Sequence, residues 1–226
     1  MSDDALTALI LENQALSAVL DELTPEDLTR ATNCPPWDLQ ELVVHIGASI
    51  RVTDTSFAPA KAGDNHHSAA DYYRRPERES SVYRQHNVDR TQELARTVLA
   101  ATPAAQWFDE TSRHTIDNLS RQDPNQVILV PGRGPMRLTE WVITRVISVA
   151  AHGLDVAITL GRTPWTTASA LLVIRPVFVD LLGTPPPDTL RWDDHAFLVT
   201  ATGRRALTNQ ERDLLGPRAE RFPLLS

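Results

Sequence analysis

The sequence predicts a mainly α protein: a four-helix bundle followed by a small α+β C-terminal unit. Three observations predict it. Apolar residues recur at helical spacing through the first 160 positions, the stretch Leu138–Leu160 is apolar over most of its girth, and the pattern changes character after Gly161. The expected division is a bundle domain over 1–162 and a smaller domain over 163–226.

The first helix is expected from Ala5 to Leu23, where Leu6, Leu9, Ile10, Leu16, Val19, Leu20 and Leu23 fall mostly three or four apart. Thr24-Pro25-Glu26-Asp27 then reads as an N-cap threonine followed by proline at the first helical position. The turn Asn33-Cys34-Pro35-Pro36 precedes a second long helix, Trp37 to Phe57, with a core face of Leu39, Leu42, Val43, Ile46 and Ile50. The polar segment 58–80 reads as a loop, with room for a short helical piece. A third helix, on a thin apolar stripe, is expected from Ser81 to Ala101. No helix is expected in the proline-containing segment 102–135, where Val127–Val130 is either a short strand or a packed loop. The fourth helix runs from Leu138 to Leu160 and stops at Gly161. Beyond it, Thr166–Leu182 reads as a helix kinked at Pro176, Thr189–Trp192 and Ala196–Ala201 as strands, and Thr208–Leu215 as a short capped helix.

Composition narrows the function classes. A net charge of −7 argues against a general nucleic-acid surface, which needs a basic patch. No uninterrupted apolar run is expected to span a bilayer, and the start Met-Ser-Asp-Asp lacks the basic and apolar parts of a secretory signal. One cysteine, Cys34, cannot form an intrachain disulfide. A cytoplasmic protein is therefore expected. There is no Ser/His/Asp signature, Cys-x-x-Cys pair or glycine-rich phosphate loop; Gly132-Arg133-Gly134-Pro135 is too short to count.

The chemistry concentrates on the fourth helix. At about 100° per residue, Trp141, Arg145, Ser148, His152, Asp155 and Thr159 fall within roughly a quarter of its circumference. A polar stripe on an otherwise apolar helix faces either solvent or an internal pocket. The pocket reading makes Ser148 and His152, one turn apart, the centre of interest. By periodicity alone, His45 reads first as a histidine bonded to a neighbour and second as a ligand.

Three segments together resemble the mycothiol-dependent maleylpyruvate isomerase family, a branch of the DinB-like four-helix-bundle superfamily. The first is Asn33-Cys34-Pro35-Pro36-Trp37-Asp38 running to His45. The second is Arg145-Val146-Ile147-Ser148-Val149-Ala150-Ala151-His152-Gly153-Leu154-Asp155, similar to the family's Arg-x-x-Glu-x-x-x-His-x-x-Asp. The third is Ala201-Thr202-Gly203-Arg204-Arg205 with Gly216 and Phe222-Pro223-Leu224-Leu225. The resemblance implies a divalent metal, usually zinc, at the positions of His45, Ser148 and His152. Here serine stands where the family has glutamate, and a neutral hydroxyl is a poor zinc ligand. Ser148 reads as a pocket-lining residue, a hydrogen-bond donor or the mark of a lost metal site; a retained and a lost metal both stay open.

The resemblance further implies mycothiol as the low-molecular-weight thiol and a small electrophilic molecule as substrate. The expected activity is that of a thiol S-transferase or isomerase, with His45, Ser148, His152 and Arg145 carrying the chemistry. Arg145 reads as an ion-pair partner or a carboxylate binder. Trp141, Asp155, Arg204 and Arg205 are candidate substrate contacts, and Asp155 reads more readily as a residue that orients a histidine. The alternative is a metal-free homologue, either a small-molecule-binding protein or a metal-independent enzyme of a specialised biosynthetic pathway. Neither nucleic acid nor membrane is expected as a partner.

Overall fold

The computed structural model describes residues 2–53, 57–60, 66–74 and 80–225. Helix α1 (Ser2–Leu20) is followed by the one-turn α2 (Pro25–Leu28). The Thr24 hydroxyl accepts from the Asp27 amide while the Asp27 carboxylate accepts from the Thr24 amide, the reciprocal cap that the Thr-Pro-Glu-Asp run encodes. The same device starts α3 (Leu39–Ile50), with Asp38 and Glu41 as its two members. Glu41, a carboxylate one turn from His45, is thereby committed to a helix end. Helix α3 stops at Ile50, short of the expected Phe57; residues 51–53 leave it in non-helical backbone, and 54–56 lie outside the described residues.

Helices α4 (Ala69–Tyr73) and α5 (Ser81–Leu99) come next, then α6 (Ala104–Leu119). Strands β1 (Val127–Val130) and β2 (Gly134–Arg137) pair antiparallel, Val127 opposite Arg137 and Val130 opposite Gly134, and lead directly into α7 (Leu138–Leu160). Gly161, at φ 64°, ends α7 in the left-handed conformation that a side chain would resist.

The bundle is α1, α3, α6 and α7: α1 packs on α6 and α7, and α3 on the same two. This corrects the expected arrangement. Residues 81–99 are helical as expected, but α5 lies against the outer side of α3, and the fourth wall is α6, in a segment where no helix was expected. The reason is chemical. The buried face of α6 is Ala104, Phe108, Ser112, Thr115 and Leu119, at helical spacing but with two hydroxyls in place of hydrocarbon. Those hydroxyls are satisfied from neighbouring helices: Ser112 Oγ accepts from Asn13 Nδ2 at 2.8 Å, and Thr115 Oγ1 donates to the Ile50 carbonyl at 3.3 Å. Gly47 lets α3 approach α6, since a Cβ there would sit 2.3 Å from the Trp107 ring.

Helix α7 is long and apolar enough to cross a membrane by length and composition, although Glu140, Arg145 and Asp155 interrupt its apolar run. It is instead the core helix of the bundle: Val146, Val149, Ala150, Leu154 and Val156 are all buried.

After Gly161, α8 (Ala168–Leu182) packs on α1 and runs unbroken through Pro176. The mainly α class holds, but the strand pair expected at 189–192 and 196–201 is corrected. Asp188–Leu190 is a 3-10 turn, and Asp194–Ala201 is helix α9. Asp193 caps α9 by accepting from the Ala196 amide at 2.7 Å, and Phe197, Leu198 and Ala201 share a buried helical face. Thr200 and Thr202, whose β-branching suggests a strand, return their hydroxyls to the Ala196 and Leu198 carbonyls. Helix α10 (Asn209–Leu215) and a final 3-10 segment, Gly216–Arg221, complete the chain.

Candidate functional site

Helices α3 and α7 bring His45 and His152 together. Their ring centroids lie 5.0 Å apart, edge to face, and the Trp37 ring lies 4.4 Å from His45 on its other contact. His45 is fixed at Nδ1 by the Thr91 hydroxyl of α5, 3.1 Å away. Burial, reinforced by the neighbouring His152, pushes His45 down to about 3, so it is a neutral imidazole at any physiological pH.

His152 is oriented differently. Its Nδ1 lies 2.9 Å from Asp155 Oδ2, one turn along α7. An ionised carboxylate only accepts, so Nδ1 carries the proton and Nε2 is left as the basic nitrogen. Asp155 itself has no exposed surface. Burial pushes its carboxyl up, but hydrogen bonds from His152 and Arg204 and the guanidinium charge outweigh that and hold it well below the usual carboxylate range. Arg204 reaches it with Nε at 2.9 Å from Oδ1 and with Nη2 on Oδ2, and Asn33 Nδ2 donates to Oδ1 at 2.8 Å. One carboxylate thus joins the α2–α3 turn, the bundle and the segment after α9.

The histidines line a cleft of about 1020 Å³ between α3, α5, α7 and the β1–β2 turn. Ser148 and Ser49 face each other in it, the Ser148 hydroxyl donating to Ser49 Oγ at 2.9 Å. Arg145 donates to the Ser49 carbonyl at 2.6 Å and to Thr144 Oγ1 at 3.0 Å, with its guanidinium 5.0 Å from the Trp141 ring.

This donor set does not fit a zinc site of the His-carboxylate-His kind. The third position is a hydroxyl engaged by another hydroxyl, which adds no negative charge. Among the described residues, the one cluster of three candidate donors is Cys34, His152 and Asp155, within 4.8 Å of one another. Asp155 in that cluster is already engaged by Arg204, Asn33 and His152, and burial beside Asp155 pushes the Cys34 thiol up to about 12, so by itself it is a neutral thiol near pH 7.

Of the residues singled out in the sequence, His45, Trp141, Arg145, Ser148, His152 and Arg204 all line the cleft, and Asp155 sits directly behind His152. Arg205 does not line it: its guanidinium pairs with Glu211 at 2.9 Å and lies over the Trp192 ring. Thr91, Ser49 and Asn33 went unassigned. Thr91 lies on the thinly apolar α5 and Ser49 on the exit turn of α3, positions with no periodic signal. Asn33 opens the turn that carries the resemblance and was legible as part of it.

The helix order, with the histidine pair facing one cleft, defines a DinB-like bundle protein. The family model for the mycothiol maleylpyruvate isomerase N-terminal domain matches residues 10–157, more than half of the chain, and the chain belongs to that family. No curated protein and no solved structure matches it.

Proposed function

We propose that this protein is a mycothiol-dependent enzyme acting on a small electrophile, with His152 as the base and no requirement for a metal. The observation that carries the reading is the Asp155–His152 hydrogen bond in a cleft where Ser148 replaces the expected carboxylate. His152 Nε2 takes the thiol proton, and the thiolate adds to the electrophilic carbon. If the adduct rotates and expels the thiolate, the proton returns to sulfur and the product is an isomer. If the adduct keeps the thioether, the proton passes to the carbanion and the product is an S-conjugate. The neutral His45, its Nδ1 held by the Thr91 hydroxyl, offers its Nε2–H to the oxygen on which negative charge grows. A binding protein without turnover is the second reading, favoured by the same serine pair, which lacks the family's acid.

The test is mycothiol-dependent isomerisation of maleylpyruvate and mycothiol consumption with a simple conjugating electrophile, using chelator-treated protein. Turnover should survive chelation, and His152→Ala should lose about 100-fold or more. Loss on chelation with recovery on added zinc would restore the metal mechanism; neither isomerisation of maleylpyruvate nor thiol consumption with the conjugating electrophile would leave the binding reading. Ser148→Glu provides the reciprocal check, because it should bind near-stoichiometric zinc where the parent protein does not.

A further inference from the structure

Ser148 and Ser49 face the cleft as a pair whose protons are both engaged. A carbonyl oxygen only accepts, so the 2.7 Å contact of Ser49 Oγ with the Ile46 carbonyl uses the single hydroxyl proton of Ser49. The 2.9 Å contact between the two hydroxyls therefore takes its proton from Ser148. Both side chains are half-buried and line the cleft, so a ligand there meets their lone pairs alone. The resemblance expects an ionised glutamate at position 148, which also only accepts. Serine held in this way keeps that hydrogen-bond polarity and drops the charge.

One turn further along α7, His152 carries its proton on Nδ1, against Asp155, and offers Nε2 as a second acceptor. Side chains four apart on a helix are about 5–6 Å apart at Cβ, so the two acceptors are neighbours on one face. A ligand that fits them brings two polar hydrogens: a thiol S–H for Nε2 and a second donor for Ser148. Charge decides the kind of second donor. Arg145, one turn before Ser148, donates to the Ser49 carbonyl at 2.6 Å, so a guanidinium stands beside the pair. An ammonium group there meets a like charge at short range, and an amide N–H does not. Sulfur and amide nitrogen on adjacent carbons, as in an N-acylated aminothiol, suit two neighbouring acceptors.

We propose that Ser148 is a specificity-determining contact for the thiol, its oxygen accepting an amide N–H on the carbon next to the thiol-bearing one and so setting the S–H at His152 Nε2. This rests on the reading of the cleft as a thiol-addition site, but its test needs no electrophile and no turnover. NMR titration of the isotope-labelled full chain compares three thiols that differ at one position: N-acetylcysteamine, the ester 2-sulfanylethyl acetate, and cationic cysteamine. The amide should bind at least about threefold tighter than the ester, as one neutral hydrogen bond supports, and tighter than cysteamine. Ser148→Ala should bring the amide-to-ester ratio close to one without weakening the ester, and Ser148→Thr, which keeps the hydroxyl, should preserve it. Mycothiol itself should bind at least about threefold more weakly to Ser148→Ala. Equal binding of amide and ester by the parent chain, cysteamine binding as tightly as the amide, or no binding of any of the three at millimolar concentration would overturn the contact. An unchanged ratio in Ser148→Ala would take it away from Ser148. Turnover without discrimination among the probes defeats this inference alone, whereas discrimination without turnover leaves a thiol-binding protein, so the two failures are separable.

Discussion

Glu12 on α1 and Asp155 on the adjacent α7 are both carboxylates with almost no exposed surface, at 1% and 0%. They behave in opposite ways. Burial pushes Glu12 up, and its compensation is two hydrogen bonds from Thr167, from the amide at 2.9 Å and the hydroxyl at 2.8 Å, at the start of α8. Asp155 meets the same desolvation but has a guanidinium, an imidazole and an amide around it, and is held down. Burial alone therefore does not mark a functional acid. What separates the two is the partner set: Glu12 fastens α8 to the bundle, while Asp155 ties an imidazole, a turn and the C-terminal segment to one charge.

The comparison breaks first at Asp155. Asp155→Asn strands Arg204, which is only 17% exposed, and releases the tautomer of His152. The expected cost is about 3–5 kcal/mol in urea unfolding, because a buried charge loses its partner. Thiol-dependent turnover should also fall by about 100-fold or more. Near-normal stability together with normal turnover would show that Asp155 organises nothing.

A smaller effect comes from His45. Its folded value of about 3 lies below the ordinary 6.5, so between those limits the unfolded chain takes up a proton that the folded chain refuses. Stability should fall as pH drops through that window, by about 1.4 kcal/mol per unit for one proton. His45→Asn should remove this slope in denaturant titrations run from pH 7 to 4.5; an identical slope in both proteins would place the acid sensitivity elsewhere. Asp155 adds its own loss only below the ordinary carboxylate range, since its value is depressed.

Glu12 gives the smallest and opposite effect. A carboxyl raised above its unfolded value is relatively favoured by acid, so the folded state is penalised as pH rises through the folded value. Glu12→Gln keeps an acceptor for Thr167 and removes the charge. It should gain about 1 kcal/mol at pH 8 and little at pH 4, measured as the difference in melting with the parent chain. A loss at pH 8 would mean that the α8 helix start needs the full negative charge.

Much of this architecture is legible in local pattern. Helix α7 runs over the expected residues, and the caps at Thr24 and Thr208 fall where the sequence puts them. The failures have particular causes. Helix α6 hides because Ser112 and Thr115 interrupt its apolar face, and α9 hides because Thr200 and Val199 suggest a strand while Asp193 caps a helix. At the site, the pairing of His152 with Asp155 is a matter of one turn on one helix. The convergence of His45, Thr91 and Arg204 is not, because each arrives from a different element.

By itself, then, the sequence determined the helices that carry caps and unbroken apolar faces, and the polar stripe on α7 with Ser148 and His152 one turn apart. These depend on residues within a turn or two of each other. Only the tertiary structure decided which helix closes the bundle, which buried acid is pushed up and which is held down, and that Asn33 and Arg204 meet on Asp155 across separations of 122 and 49 residues. Those outcomes depend on solvent exclusion and on partners supplied by distant segments, and spacing along the chain encodes neither.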